Sequence, residues 1–237
     1  MGRATRVDAR SGTSRAAPHR ESRRAVAARD AREGRGGVSA LQLRSGLRLS
    51  HALDEQIVAI EKAFASAQIP HAFGGAQALA YYGPVRATHD IDVNVFLPST
   101  ESGRVFEALT RLGAEAANPG LRVLAERDEQ VRVRWDGTPV DLFFAYDALH
   151  RSSLERRRRV DFYGDPIHIL SAEDLIVYKA TFNRAKDWDD IAGMVFASPE
   201  PLDFDYVRLW LERIDDEGRE RLARLERVVA SGGVSAR

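Results

Sequence analysis

The 237-residue sequence contains no cysteine and no long apolar run. Without cysteine it can form neither a disulfide nor a thiolate zinc site. No segment approaches the roughly 18 apolar residues that a membrane-spanning helix needs. These absences predict a soluble, cytoplasmic protein that does not enter membranes. Lysine is also rare, because only Lys62, Lys179 and Lys186 accompany the arginines, and each lysine is therefore a candidate for a specific role.

Residues 1–37 contain no leucine, isoleucine or aromatic residue, and they hold ten arginines against four acidic residues. Such a segment has little apolar surface to bury against the entropy cost of ordering, so we expect a disordered, Arg-rich tail. A targeting peptide, a misassigned start codon and a basic tail that contacts nucleic acid are alternatives. The remaining residues hold 25 basic and 31 acidic side chains, which disfavours a nucleic-acid-binding core.

From about residue 48 the hydrophobic pattern alternates between helix and strand periods, without internal repeats. Residues 53–68 have apolar side chains at helical spacing, and a short strand follows at residues 71–73. The sequence predicts an α/β core over residues 48–170. It also predicts a C-terminal helical region over residues 171–237 that packs on this core.

Two aspartates lie two positions apart in a segment where polar and apolar residues alternate. A strand here places Asp90, Asp92 and Asn94 on one face. The roots of the two aspartate side chains would then be about 6 to 7 Å apart, so both carboxylates could reach one hard cation or two adjacent ones. The alternative is a half-exposed strand whose polar residues face water.

A glycine pair, Gly74-Gly75, stands between the short strand and an apolar helix predicted over residues 76–82. Glycine lets backbone N–H groups approach an anion closely, and a helix N-terminus favours negative charge. The pair alone is also typical of an ordinary turn. Together with the Asp-x-Asp strand, it predicts a phosphate-binding turn that faces carboxylate-held metal ions.

Asp136-Gly137 lies between two alternating runs and predicts a hairpin with a two-residue loop. This register pairs Arg132 with Asp141 and places Asp141 on the polar side of the hairpin. One interpretation of Asp141 is therefore a cross-strand ion pair with Arg132, which contributes little to stability when it is exposed.

Residues 171–174 have the pattern of a capping box and predict a helix through Phe182. Within this helix, Lys179 lies four residues after Leu175 and three before Phe182, on the stripe that should be buried. A buried ammonium group needs an anionic partner. The alternative is a lysine whose amine extends to water.

Residues 73–79 and 86–93 resemble the start of the DNA polymerase β-like nucleotidyltransferase superfamily, most closely its AbiEii/AbiGii toxin-type branch. The resemblance covers residues 53–196. It implies an α/β (α+β) nucleotidyltransferase fold, with a mixed β-sheet that has one helix-covered face and one polar active-site face, plus a C-terminal helical part. The second glycine of the motif is often serine in this family. Gly75 removes that hydroxyl contact to phosphate but keeps the backbone contact.

The resemblance also implies a metal centre. Asp90, Asp92 and Asp141 would be its ligands, and they would hold two Mg²⁺ ions, with Mn²⁺ as an alternative. Asp141 would be the third ligand, from a neighbouring strand, and could also activate the hydroxyl of the acceptor.

A nucleoside triphosphate is the implied co-substrate. Gly74, Gly75, Arg86 and Lys179 would contact it, and Lys179 would bind its phosphates, or the site carboxylates when substrate is absent. Arg86 could equally contact the acceptor or form a surface ion pair. Asp190 would be the acid of the family's closing segment that faces the site. Its alternative is an acid that simply favours a helix N-terminus.

These expectations describe a metal-dependent nucleotidyltransferase that transfers a nucleoside monophosphate to a hydroxyl of tRNA, of a protein or of a small molecule. The branch it resembles implies the toxin of a toxin–antitoxin system, and therefore a cognate antitoxin as a partner. One alternative is an enzyme that modifies small molecules of the aminoglycoside type. A second is a catalytically silent module that binds a nucleotide or a protein partner.

Overall fold

The computed structural model describes residues 40–214 and 218–234, and the tail predicted over residues 1–37 lies outside them. The helices are α1 (Ala40–Ser66), α2 (Gly75–Leu79), α3 (Ser102–Arg111), α4 (Gly120–Asp128), α5 (Ala148–Arg156), α6 (Ala172–Phe182), α7 (Ala185–Ala197), α8 (Phe204–Ile214) and α9 (Gly218–Val234). The strands are β1 (His71–Phe73), β2 (Ile91–Val95), β3 (Gln130–Trp135), β4 (Thr138–Phe144), β5 (Arg158–Phe162) and β6 (Asp165–Ile169). A 3₁₀ turn spans Ser99–Glu101.

The six strands form one sheet in the order β3-β4-β2-β1-β6-β5. The β2–β4 and β1–β6 pairs are parallel, whereas β1–β2, β3–β4 and β5–β6 are antiparallel. The predicted α/β class with a mixed sheet is therefore confirmed. The division between a core over residues 48–170 and a helical region over residues 171–237 stays a prediction.

The two central strands β2 and β4 turn their apolar side chains to the same face of the sheet. These side chains are fully buried: Ile91, Val93, Val95, Val140, Leu142 and Phe144. They belong to one apolar cluster with Ile57, Ile60 and Phe64 of α1. Because side chains alternate along a strand, Asp92 and Asp141 point to the opposite face.

The connections follow from local sequence. Asp136 and Gly137 both have positive φ, 49° and 83°, as a two-residue hairpin loop requires. The predicted register of β3 and β4 is confirmed, with Arg132 opposite Asp141. Ser171 caps α6, because its hydroxyl accepts a hydrogen bond from the Asp174 backbone N–H at 3.2 Å.

The helices pack around the sheet in two groups. α1 contacts α3 and β6, and α4 contacts β3. α2 contacts β2 and α6, and α6 in turn contacts α7 and α8. Within the part of the chain that the structure describes, no helix combines the length and apolarity needed to cross a membrane.

Candidate active site

Three carboxylates meet on the polar face of the sheet, where β2 and β4 run side by side. Asp92 and Asp141 are register partners on these parallel strands, and Asp90 directly precedes β2. One carboxylate oxygen from each of the three residues lies within 4.8 Å of the others. Among residues 40–214 and 218–234, this is the one group of three acids or histidines close enough to hold a metal ion.

The electrostatics of this group fit a bound cation. Burial and the negative charges of Asp90 and Asp141 together raise the pKa of Asp92 to about 7, although the positive charges of Lys179 and Arg184 act against them. The negative charges of the three carboxylates thus oppose one another in a partly buried site. Clustered carboxylate oxygens are the donors that Mg²⁺ and Mn²⁺ prefer. The residues present therefore suit a hard divalent cation.

Two contacts that the sequence did not indicate hold Asp90 in place. The hydroxyl of Thr88 donates a hydrogen bond to the Asp90 carboxylate. The side-chain amide of Gln77, which is buried in α2, donates to the Asp90 backbone carbonyl at 2.9 Å. Through Gln77, the segment that follows the glycine pair is attached to the start of β2.

The glycine pair lies directly against Asp92. The Gly74 N–H donates to the Asp92 carbonyl at 2.9 Å. Gly75 has a φ of +50°, and a Cβ atom placed on it would be 1.7 Å from Asp92 Oδ2. Serine, which is frequent at this position in the family that the sequence resembles, would therefore require Asp92 to move. α2, which begins at Gly75, has only five residues.

Asp141 forms the cross-strand ion pair that the sequence predicted, and its role as a metal ligand stays a prediction. It lies in the carboxylate group, and it also forms a two-bond ion pair with Arg132 across the hairpin. Arg132 Nε donates to Oδ1 and Nη2 donates to Oδ2, each at 2.7 Å. Asp141 is only 5% exposed, so this pair is shielded from water on the carboxylate side.

Lys179, Asp190 and Arg86 form a second charged cluster. Lys179 Nζ donates to Asp190 Oδ2 at 2.6 Å, and both side chains are buried, so the lysine does not extend to water. Arg86 donates to both oxygens of the same carboxylate, at 3.2 and 3.3 Å. Asp190 lies in the second turn of α7, beyond the first turn that Asp187 occupies. Its position is therefore not that of a helix-capping acid.

An aromatic pair that the sequence did not reveal adjoins the carboxylates. Phe143 follows Asp141 by two residues on the same face of β4. Its ring contacts Phe182 of α6 edge to face, with centroids 5.8 Å apart. The Arg184 guanidinium lies over the Phe182 ring at 5.0 Å. This pair gives the polar face an apolar boundary.

No protein-family model matches the chain, and no curated protein matches it. The solution structure of the antibiotic-resistance factor ANT(2'')-Ia is similar, with a TM-score of 0.46, 16% identity, and coverage of 78% of this chain and 93% of that one. The crystal structure of ANT(2'')-Ia in complex with adenylyl-2''-tobramycin has a TM-score of 0.43, 16% identity, and coverage of 74% and 98%. An antigenic nucleotidyltransferase-like protein from Paracoccidioides brasiliensis has a TM-score of 0.41, 17% identity, and coverage of 73% and 92%.

Proposed function

We propose that this chain is a metal-dependent nucleotidyltransferase, which transfers a nucleoside monophosphate from a nucleoside triphosphate to an acceptor hydroxyl. The observation that carries the proposal is the group formed by Asp90, Asp92 and Asp141, whose oxygens lie within 4.8 Å of one another beside a two-glycine turn. This geometry and the sequence motifs together support the proposal.

The carboxylate group is the proposed metal centre. Asp90, Asp92 and Asp141 would hold two divalent cations, Mg²⁺ or Mn²⁺, which would stabilise negative charge on the phosphate oxygens. Thr88 and Gln77 support this arrangement, because they fix the side chain and the main chain of Asp90 before any substrate arrives.

The nucleotide would lie between the glycine turn and the charged cluster. Gly74 and Gly75 have no side chains, so a phosphate can approach their backbone closely. Lys179 and Arg86 share the single carboxylate of Asp190, which leaves this cluster with one net positive charge toward an anionic substrate. Asp190 would therefore position the side chains of Lys179 and Arg86 rather than contact the nucleotide itself.

The proposed reaction is an in-line displacement. The acceptor oxygen forms a bond to the α-phosphorus, and the bond from that phosphorus to the bridging oxygen of the β-phosphate breaks. Pyrophosphate leaves with the electron pair of the broken bond. The proton of the acceptor hydroxyl passes to Asp141, which is the general base in this scheme.

Labelled-nucleotide transfer tests the proposal. Parent protein and Mg²⁺ are incubated with each α-labelled nucleoside triphosphate, and in turn with total tRNA, protein extract and aminoglycosides. We expect label to appear on one acceptor class and to be lost with Asp92→Asn. Asp205→Asn is the matched control, because this exposed aspartate lies on α8. Nucleotide binding without transfer to any acceptor would support the silent module instead, and absence of both would overturn the proposal.

The toxin role is a separate proposal that rests on the AbiEii/AbiGii resemblance. If the chain is a toxin, expression of the parent in bacteria should arrest growth, and Asp92→Asn should relieve the arrest. A cognate antitoxin should restore growth when it is co-expressed with the parent. Normal growth of cells that contain active parent protein would exclude this role while leaving the transfer activity untouched.

A further inference from the structure

The ion pair between Arg132 and Asp141 engages both oxygens of a proposed metal ligand. The two bonds are equally short, 2.7 Å each, which is the geometry of a fork-to-fork guanidinium–carboxylate pair. Asp141 is 5% exposed, so the charge attraction is only weakly screened on its side. Breaking this pair to let Asp141 turn elsewhere therefore has an appreciable cost.

The order of the strands sets Arg132 against the other carboxylates. β4 lies between β3 and β2 in the sheet. Asp141 is directly opposite Arg132 on one side and directly opposite Asp92 on the other. The guanidinium thus draws the Asp141 carboxylate toward β3, whereas a cation shared with Asp92 would draw it toward β2. The positive charge of Arg132 would also repel an arriving cation.

We propose that Arg132 competes with the divalent cation for Asp141, so that Asp141, although it already lies beside Asp90 and Asp92, becomes a ligand of the cation only when Arg132 releases at least one oxygen. This regulation rests on the proposed function, because it concerns the same site. A triphosphate would favour the release, since its phosphates offer the guanidinium another bidentate anion. Asp90 and Asp92 provide the cation site that is present before the nucleotide binds, and Asp141 joins them when it does.

A purely supportive role for Arg132 predicts the reverse behaviour. If Arg132 only held Asp141 in the orientation that a cation needs, its removal would weaken cation binding. If the two compete, its removal strengthens cation binding. The sign of the change in affinity therefore separates the two roles, independently of any catalytic measurement.

The test is Mn²⁺ binding. It is measured by calorimetry and by the electron paramagnetic resonance signal of free Mn²⁺, first without nucleotide. We expect Arg132→Gln to bind Mn²⁺ at least about tenfold more tightly than the parent. A non-hydrolysable triphosphate should tighten Mn²⁺ binding to the parent more than to the variant. Arg132→Lys, which keeps the charge but not the fork, should lie between them.

Arg134 provides a matched control. It lies two residues further along the same face of β3, and it contacts the Gly137 carbonyl rather than an acid of the group. Arg134→Gln removes the same charge and should change Mn²⁺ affinity by less than about threefold. In an Asp141→Asn background, Arg132→Gln should change Mn²⁺ affinity no more than Arg134→Gln does, because the carboxylate for which Arg132 competes is gone and only its charge is lost. Thermal melting of each variant confirms that it is folded.

The outcomes separate this inference from the proposed function. Unchanged or weaker Mn²⁺ binding by folded Arg132→Gln, with binding still lost in Asp92→Asn, would overturn the competition and leave the metal centre in place. An equal gain in Arg134→Gln would overturn it as well, because the effect would then be general electrostatics. If Asp92→Asn binds Mn²⁺ as the parent does, the metal centre itself is wrong and the inference falls with it.

Discussion

Lys179 and Asp190 form a buried ion pair between two consecutive helices, with Nζ 2.6 Å from Oδ2. Arg86 donates to the same carboxylate from the loop before β2. The loop, α6 and α7 are therefore joined at one acid. If either Lys179 or Arg86 is replaced, Asp190 still pairs with the other, so its buried charge keeps a partner.

Replacing Lys179 with methionine preserves the length of the side chain and removes its charge. Because Arg86 still pairs with Asp190, we expect the free energy of unfolding to fall by about 1 to 3 kcal/mol, less than for a fully orphaned buried charge. Nucleotide affinity and turnover should fall strongly. Lys186→Met, on the exposed side of α7, is the control. Parent-like turnover in Lys179→Met would contradict the proposed phosphate contact.

Gly75→Ser should disturb the carboxylate group, because its Cβ would lie 1.7 Å from Asp92 Oδ2 and its φ of +50° is strained for serine. We expect Mn²⁺ binding to be lost and the melting temperature to fall. Gly137→Ala separates the clash with Asp92 from the backbone strain, since Gly137 has a φ of +83° but nothing lies within 4 Å of an added Cβ. Gly137→Ala should lower the free energy of unfolding by about 1 kcal/mol and leave Mn²⁺ binding intact. Equal Mn²⁺ binding by both variants would mean that Asp92 moves freely.

Asp92 should make cation binding depend on pH. Its pKa of about 7 means that a proton must leave before the carboxylate can bind a cation. Below pH 7 we expect Mn²⁺ affinity to rise about tenfold per pH unit, and above it to level off. Calorimetric titrations between pH 5 and pH 9 measure this profile, and all of them use the same ionic strength. A flat profile would show that Asp92 is already ionised at pH 5.

The raised pKa of Asp92 also affects the stability of the protein when no cation is bound. A raised pKa means that folding favours the protonated form, so the parent loses stability as pH rises from the unfolded value of 3.8 through about 7. Asp92→Asn avoids this loss. We expect it to be more stable than the parent above pH 7, by at most about 4 kcal/mol, and similar to it near pH 3.5. Denaturant unfolding at both pH values provides the comparison, and a gain of equal size at both would refute the linkage.

Glu61 of α1 connects two strands through two histidines. Its Oε2 accepts from His71 Nε2 and from the His168 backbone N–H, each at 3.0 Å, and its Oε1 lies 2.7 Å from His168 Nδ1. Burial opposes ionisation of Glu61, but the bonds from His71 and His168 outweigh it and lower its pKa to about 2.

This lowered pKa gives stability that is present above pH 4.5 and is lost as pH falls toward 2. Glu61→Gln should therefore lower the free energy of unfolding at pH 7 by about 2 to 3 kcal/mol, and by much less near pH 2.5. Glu55→Gln, at an exposed position on the same helix, should change little. Chemical denaturation at the two pH values checks both variants, and a penalty that does not depend on pH would argue against the charge of Glu61 as its cause.

Local patterns allowed much of the sheet to be predicted. Asp136-Gly137 fixed the hairpin loop and therefore the pairing of Arg132 with Asp141. The alternation from Asp90 onward fixed which face of β2 carries Asp92. Both signals lie within a few residues of the structure they predict. The same holds for the Ser171 cap of α6.

Contacts between distant parts of the chain could not be predicted in this way. Glu61 and His168 are 107 positions apart, and Arg86 and Asp190 are 104 apart. Neither pair has a spacing or a motif that sets it apart from solvated charges. They meet only because the order of the strands and the packing of the helices bring their elements together. Sequence reasoning therefore named Asp190 and Arg86 as candidates without identifying them as partners.

The parallel pairing of β2 with β4 has a consequence for folding. Asp92 and Asp141 become neighbours only after α3, α4 and β3 have been placed between them along the chain, so their contact closes a long loop. A partly folded form without β4 would lack the complete group. If this contact also forms late, a bound cation should slow unfolding and leave the folding rate almost unchanged. Stopped-flow measurements of both rates, with and without Mg²⁺, would then report the step at which β4 joins the sheet.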